Sequence, residues 1–327
     1  MLLNYTTEKK AVNLFEIINS LPEEINEIHI LYKYWWFNSK PAVLLALNKF
    51  KNLQKLTLRG FCADELILQE IAEATTLVHL NIELHDEHID FPLFDKLVHL
   101  EYIHIEIEKG DEDKKASAKV VNTIFCKCKN LKHLDIPYYF YDLAEIPLAE
   151  WEKFNNLEYL TLTCYEILPD LADTIVKYCK NVKHLFVNPI CHFIQTNVVK
   201  KFTKLENLES FIINHQYFEF TEESIIAISN NCKKLKHLEL ADCHIVPSID
   251  GDELSSPSVL NELSKLQYLE HLNLSGADNT DDDTIIAIAN NCRNLKSLDI
   301  HGCNMITETA LVALTKLKNL EILNNDQ

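Results

Sequence analysis

The sequence predicts an α/β solenoid, a stack of similar rungs with parallel strands along one side and helices along the other. Three observations carry that expectation. The phrase Leu-x-x-Leu-x-Leu recurs along the chain, an apolar run with helical spacing follows it, and marked helix starts separate one phrase from the next. The phrase is clearest at Leu53/Leu56/Leu58, Leu157/Leu160/Leu162, Leu235/Leu238/Leu240 and Leu269/Leu272/Leu274. Other apolar residues fill the same slots at Leu77/Leu80/Ile82, Leu100/Ile103/Ile105, Leu131/Leu134/Ile136, Val182/Leu185/Val187, Leu208/Phe211/Ile213 and Leu295/Leu298/Ile300. A degenerate copy at Ile25/Ile28/Ile30 opens the series and a truncated one at Leu320/Leu323 closes it. The spacing, about 27 residues, gives about 11–12 repeats.

Each element has a local cause. The end of the phrase alternates, as a strand with one buried face does. Helical spacing follows in Ile225, Ile226, Ile228 and Cys232, in Ile285, Ile286, Ile288 and Cys292, and in Ala310, Leu311 and Leu314. Strands joined by helical crossovers lie parallel, and a unit that cannot bury its apolar face alone must stack on its neighbours. The expected architecture is a horseshoe with a parallel concave sheet and convex helices over residues 25–327, with a helical cap, including a helix over Glu8–Asn19, in residues 1–24. Thr221-Glu222-Glu223, Thr280 before Asp281-Asp282-Asp283, and Thr307-Glu308 place a hydroxyl at the N-cap and carboxylates in the first turn, which satisfies orphan N–H groups and complements the helix dipole. Two repeats are long and carry loops, Lys109–Lys115 and His244–Pro257, that would bulge from one rim.

Charge narrows the partners. Lys plus Arg number 31 against 49 Asp plus Glu, a net charge of −18. That balance argues against nucleic acid and anionic membrane, which attract basic surfaces; the excess acid either keeps an elongated protein soluble or faces a basic protein partner. No apolar stretch is long enough for a membrane-spanning helix, and the first residues lack the pattern of a signal peptide. The cysteines follow the repeat. Cys128, Cys179, Cys232 and Cys292 each sit three residues before the first aliphatic, and Cys243 and Cys303 three after the last. They read as small buried fillers, which places the protein in a reducing compartment, cytoplasm or nucleus.

The segments Cys232-Lys-Lys-Leu-Lys-His-Leu-Glu-Leu-Ala-Asp-Cys243 and Cys292-Arg-Asn-Leu-Lys-Ser-Leu-Asp-Ile-His-Gly-Cys303 resemble the cysteine-containing leucine-rich repeat, as does the continuation from Asn304 to Leu314. The resemblance is specific over about residues 220–315 and looser elsewhere. It implies a leucine-rich-repeat solenoid like the substrate-recognition half of F-box ubiquitin-ligase receptors and the related antagonists of mitotic exit. An F-box is not expected, since the first strand already begins at Ile25. Ubiquitin-ligase subunits would then be met through a bridging protein.

Candidate binding residues come from the strand period. Side chains beside the buried aliphatics face the concave side. One row reads Lys55, His79, Tyr102, His133, Tyr159, His184, Ser210, His237, His271, Ser297, and the next Thr57, Asn81, His104, Asp135, Thr161, Phe186, Ile212, Glu239, Asn273, Asp299. From these we expect partner contacts at His79, Tyr102, His104, His133, Tyr159, His184, His237, Glu239 and His271. Aromatic clusters after certain strands add a rim: Trp35, Trp36, Tyr138, Tyr139, Tyr217 and Phe218, with Phe220 beside them. Metal ligands must converge three or four at a time. These histidines come singly from successive rungs, with His237, His271 and Glu239 the densest group, so neither metal nor other cofactor is expected. Catalytic motifs are missing too: the chain has five glycines, no phosphate loop and no Gly-x-Ser-x-Gly elbow, and His85–His88 lacks metalloprotease spacing. The sequence therefore points to a monomeric protein-interaction scaffold rather than an enzyme. The alternative is an acidic repeat inhibitor or secreted effector that occludes a basic target.

Overall fold

The computed structural model describes residues 2–5, 18–32, 46–63, 65–85, 93–108, 123–124, 126–135, 147–164, 167–189, 196–213, 218–246, 258–277 and 279–325. They form two compact units, Met1–Leu157 and Glu158–Gln327. In the N-terminal unit, strands β1 (Leu2–Tyr5), β2 (Glu27–Tyr32), β3 (Lys55–Ala63), β4 (His79–His85), β5 (Tyr102–Glu108) and β6 (His133–Asp135) pair in parallel in chain order. Helix α1 (Glu65–Glu73) and short 3-10 turns at Leu47–Lys49, Leu93–Asp95 and Leu148–Phe154 lie between or after them.

The C-terminal unit pairs β7 (Tyr159–Cys164), β8 (His184–Pro189), β9 (Ser210–Ile213), β11 (His237–Glu239), β13 (His271–Asn273), β14 (Ser297–Asp299) and β15 (Ile322–Asn324), all parallel. Strands β10 (Phe218–Thr221) and β12 (Cys243–Val246) form a separate parallel pair. Its crossovers are α2 (Pro169–Tyr178), α3 (Thr196–Phe202), α4 (Glu222–Asn231), a 3-10 segment (Val259–Lys265), α5 (Asp282–Asn291) and α6 (Glu308–Leu314). All twelve expected repeat phrases are met by a strand. Strand β1 was not expected, because Leu2 and Leu3 carry no repeat phrase. Of the expected helix Glu8–Asn19 only Ile18 and Asn19 lie in the described residues, and they are helical. No helix among the described residues is long and apolar enough to cross a membrane.

The phrase works as its spacing implies. Leu56, Leu80, Ile103, Phe211, Leu238, Leu272 and Leu298 are all buried. Burial of one such side chain contributes about 2 kcal/mol before entropy is counted. Register within each unit is fixed by a device that recurs along the rungs, in which two consecutive N–H groups share one carbonyl of the preceding rung. Lys183 N and His184 N both donate to Glu158 O, at 2.8 and 3.0 Å, and Lys236 N and His237 N do the same to Glu209 O.

Cys128, Cys179, Cys232, Cys243, Cys292 and Cys303 are buried, whereas Cys126 is exposed, and several of the buried thiols do more than fill space. Cys128 Sγ donates to Leu97 O (3.8 Å), Cys232 to Thr203 O (3.9 Å), Cys292 to Leu263 O (3.9 Å) and Cys303 to Leu274 O (3.1 Å), so each tethers its repeat weakly to the one before. Burial pushes the thiols of Cys128, Cys179, Cys232 and Cys292 up to about 12, which leaves them unreactive. A second inter-repeat tether uses the asparagine that precedes the leading leucine. Asn207 Nδ2 donates to Lys180 O (3.0 Å), Asn294 to Gln267 O (3.0 Å) and Asn319 to Arg293 O (3.1 Å).

Two helix caps differ from expectation. Helix α5 is capped by the Asp281 carboxylate, which accepts from Thr284 N and Thr284 Oγ1 at 2.8 Å each, while Thr280 is buried one residue earlier. A carboxylate caps more strongly than a hydroxyl because it also answers the helix dipole. Thr221 sits at the N-cap of α4 but makes no capping bond; its hydroxyl lies 3.1 Å from Ser224 Oγ. Thr307 caps α6 as expected, accepting from Thr309 N. Asp282 reaches across from α5 to hold Thr307 N (2.7 Å) and Thr307 Oγ1 (2.5 Å).

Candidate protein-binding face

In the N-terminal unit the row Glu27, Lys55, His79, Tyr102, His133 runs strictly in register across β2 to β6. Strands pair about 4.8 Å apart, near the thickness at which rings stack. His79 and Tyr102 stack at 3.8 Å and 11°, and Tyr102 and His133 at 4.0 Å and 17°. The rings therefore shield one another's faces and turn their polar edges outward. Burial first, then the nearby positive groups His29 and Lys55, depress His79 to about 4, so it is neutral at physiological pH.

The neighbouring row of the same unit is hydrogen-bonded. His29 Nδ1 and Thr57 Oγ1 share a bond of 3.0 Å, and His104 Nδ1 donates to Asp135 Oδ2 at 2.7 Å. Lys55 reaches Glu27 (2.7 Å), and this bond holds the Glu27 carboxyl below its ordinary range. Arg59 bridges to Glu106 (3.2 Å), while Glu83 accepts from Gly60 N (2.7 Å). The face is thus polar and pre-ordered, which lowers the entropy lost when a partner docks.

The C-terminal unit carries the same two rows with looser spacing. Tyr159, His184, Ser210, His237, His271 and Ser297 align, but Tyr159 and His184 are tilted with centroids 6.0 Å apart, and His237 and His271 lie 5.4 Å apart at 51°. Ser210 interrupts the ring series between the two pairs. Burial lowers the His184 pKa. His237 Nε2 donates to Glu239 Oε1 at 2.6 Å, and Asp299 accepts from His301 N (3.0 Å) and Asn324 Nδ2 (2.9 Å).

The sequence-derived residues thus divide into two groups, one in each unit. His79, Tyr102, His104 and His133 share one face of the N-terminal unit, and Tyr159, His184, His237, Glu239 and His271 one face of the C-terminal unit. Among the described residues no three His, Cys, Asp or Glu side chains converge as metal ligands would. Trp35, Trp36, Tyr138, Tyr139 and Tyr217 lie outside the described residues, as do the loop 109–115, residues 86–88 and 247–257. Phe218 begins β10, where its backbone pairs with Cys243. Phe220 is a correction, since it is buried in the core rather than presented on a rim. Asp135, named in the second row but not among the expected contacts, orients His104, and the sequence reading overlooked a ladder of alternating charge at the strand starts. There Lys132 meets Glu101 (2.8 Å), Lys183 meets Glu158 (2.7 Å), Lys236 meets Glu209 (2.7 Å) and Lys296 meets Glu270 (2.5 Å). The signal was present: the second residue of nine successive phrases alternates Glu and Lys from Glu101 to Glu321.

This rung geometry agrees with known proteins. The chain is 30% identical over 167 residues to antagonist of mitotic exit network protein 1 of Saccharomyces cerevisiae, a match covering 43% of the chain and 30% of that protein. It is 26% identical over 233 residues to F-box protein MAX2 homolog A of Petunia hybrida, covering 64% of the chain and 30% of that protein. Among solved structures it is similar to an internalin, InlF, of Listeria monocytogenes, with a TM-score of 0.57 and 16% identity over 96% of the chain and 87% of that structure. It is also similar to yeast Rad7 in complex with Elc1, with a TM-score of 0.51 and 16% identity over 84% of the chain and 62% of the matched one. The chain has the leucine-rich-repeat fold. No family model matches it. The leucine-rich-repeat match spans only 30% of the length of either curated relative, and likeness to the solved structures establishes the fold.

Proposed function

We propose that this leucine-rich-repeat protein is a protein-recognition scaffold that holds a partner on the open sheet face, in the manner of the substrate-recognition module of F-box receptors. The observation that carries the reading is the in-register row of histidine and tyrosine rings, stacked in the N-terminal unit, with a looser row of its own in the C-terminal unit. Such a row offers hydrogen-bonding edges on a rigid backing, and rigid aromatic groups are what interfaces use as anchors. Two comparisons support it: one relative is named as an F-box protein, and one fold neighbour was solved as a complex of two proteins. On this reading His79, Tyr102, His104, His133, Tyr159, His184, His237, Glu239 and His271 contact the client. The aromatic residues Trp35, Trp36, Tyr138, Tyr139, Tyr217 and Phe218 add a rim, and any ubiquitin-ligase subunits are engaged through a bridging protein. The protein works as a monomer in the cytoplasm or nucleus.

A second reading, an acidic inhibitor or secreted effector that covers a basic target, rests on the net charge of −18. Affinity capture from native lysate at two salt concentrations separates them. A sheet-face client should persist at high salt and vanish with Tyr102→Ala and His237→Ala. An occluded basic target should be lost with salt alone. Capture abolished only by Trp36→Ala or Tyr139→Ala would move recognition from the sheet face to the rim.

A further inference from the structure

Charge in the C-terminal unit is sorted by the direction of its helices. All fourteen lysines and arginines of Glu158–Gln327 fall in six segments that lead from the end of a helix or 3-10 turn into the next strand: 177–183, 200–209, 233–236, 265–270, 293–296 and 316–321. The opposite edge, where strands lead into helices, carries Glu222, Glu223, Asp281, Asp282, Asp283 and Glu308 and no lysine or arginine. Helix dipoles favour this sorting, with acids at N-termini and cations at C-termini.

Many of the cations are already engaged. Glu158, Glu209 and Glu270 take Lys183, Lys236 and Lys296, and Asp173 and Glu262 take Lys201 and Lys265. A remainder is not neutralised. Lys180, Lys204, Lys233, Lys234, Arg293 and Lys318 are exposed and meet no carboxylate among the described residues. Lys233 and Lys234 donate instead to Ser229 O and Asn207 Oδ1, at 2.7 Å each. The turns that bear these cations are locked to one another by the asparagine tethers from Asn207, Asn294 and Asn319. The edge is therefore a fixed row of unneutralised positive charge, advancing roughly 5 Å per rung, on a protein whose net charge is −18.

We propose that this edge is a second docking surface, separate from the sheet face, and that it takes an acidic, extended segment of a partner protein. Glu206, Glu209, Glu270 and Glu321 interrupt the row, so its free cations stand one or two rungs apart, roughly 5–10 Å. An extended chain covers that distance in about two to three residues, so carboxylates at every second or third position meet the cations in turn. A nucleic-acid strand carries a phosphate about every 3.4 Å, denser than the row can match, and the net negative charge repels a polyanion at long range. Tyr268, 61% exposed, stands between the Lys233 and Arg293 rungs and gives the intervening side chains an apolar platform.

The test uses the full chain and a fluorescein-labelled Gly/Ser peptide with Glu at every third position, followed by anisotropy. Binding should saturate, weaken between about 50 and about 300 mM NaCl, and fall at least about tenfold when Lys180, Lys204, Lys233 and Arg293 are all changed to Glu. Should the four charge reversals disturb folding, seen as lost circular dichroism, the Lys→Gln and Arg→Gln set at the same positions carries the test. His79→Ala with His237→Ala on the sheet face should leave peptide binding unchanged, so this proposal and the sheet-face reading fail independently. The proposal is overturned if the native chain does not bind the peptide, if neither variant set weakens binding, or if oligothymidylate or phosphatidylserine vesicles bind more tightly than the peptide.

Discussion

The two units build the same rung from different proportions of strand and helix. In the N-terminal unit β3, β4 and β5 run for 9, 7 and 7 residues, and one described α-helix lies among them. In the C-terminal unit β11, β13, β14 and β15 have 3 residues each, and five α-helices alternate with the strands. On the long strands β4 and β5 the rings of His79 and Tyr102 stack, and on the short strands β11 and β13 those of His237 and His271 tilt apart. Strand length does not decide the outcome, because His133 stacks from the three-residue β6 whereas Tyr159 and His184 tilt apart on the six-residue β7 and β8. The N-terminal row becomes a rigid stack and the C-terminal row a set of separate groups through the ring orientations at each rung.

Core truncation should blur that difference most. Leu80→Ala and Leu238→Ala each remove a fully buried side chain and should each cost about 3 kcal/mol. Amide hydrogen exchange in β4 and β11 would measure it; protection lost in only one unit would break the equivalence of the two cores. Next comes a change that only the C-terminal unit can feel. Gly276 and Gly302 have φ of +66° and +73°, and a Cβ on Gly276 would lie 2.3 Å from Asp242 Oδ1, whereas one on Gly302 meets nothing nearer than 3.7 Å. Gly276→Ala should therefore cost more than Gly302→Ala, whose penalty is about 1 kcal/mol of left-handed strain. Urea unfolding of both variants would reverse the argument if their order were inverted.

Smaller effects sharpen the contrast between the ring rows. Tyr102→Ala removes both stacking contacts and should cost about 1 kcal/mol more than Tyr159→Ala, whose ring is tilted away from His184. Thermal melts would detect that gap, and equal costs would deny the stack any role. The pH response has a definite sign. His79 is lowered to about 4 from 6.5, so the unfolded chain binds its proton first. Its contribution to stability is complete above about pH 6.5 and is lost as pH falls towards about 4. An NMR titration of the His79 ring with a midpoint near 6.5 would contradict the burial that causes the shift, and His79→Gln should flatten the dependence. The smallest expected change is at the Lys296–Glu270 pair, exposed on both sides, where Lys296→Ala should leave unfolding unaltered within error.

The leucine phrase was enough to place twelve of the fifteen described strands, because its period reports directly which side chains are buried, while β1, β10 and β12 carry no phrase. The cysteine spacing likewise foretold burial, since a residue recurring at one depth of a stack meets one environment. Other features escaped for physical reasons. Asp281 displaced Thr280 as the α5 cap because both are good cap residues and only the backbone turn chooses between them. Strand β1 has two leucines and no repeat phrase, so its pairing with β2 depends on tertiary context. The stack at Tyr102 depends on ring orientation between neighbouring rungs, which a six-residue phrase does not encode. The cationic edge was hidden by the sum: a net charge of −18 averages over positions that the helix dipoles have sorted.

The alternating Glu and Lys at the strand starts also limits how such a chain can change in length. Excising one repeat of the C-terminal unit, so that Lys183 is followed by Lys236, would place like charges side by side, whereas excising two restores an opposite pair. Repeats could thus be lost or duplicated in twos with little electrostatic penalty, and singly only with a charge mismatch at the new junction. The natural unit of inheritance, and of engineering, in this stretch is then a doublet of about 54 residues, twice the repeat length.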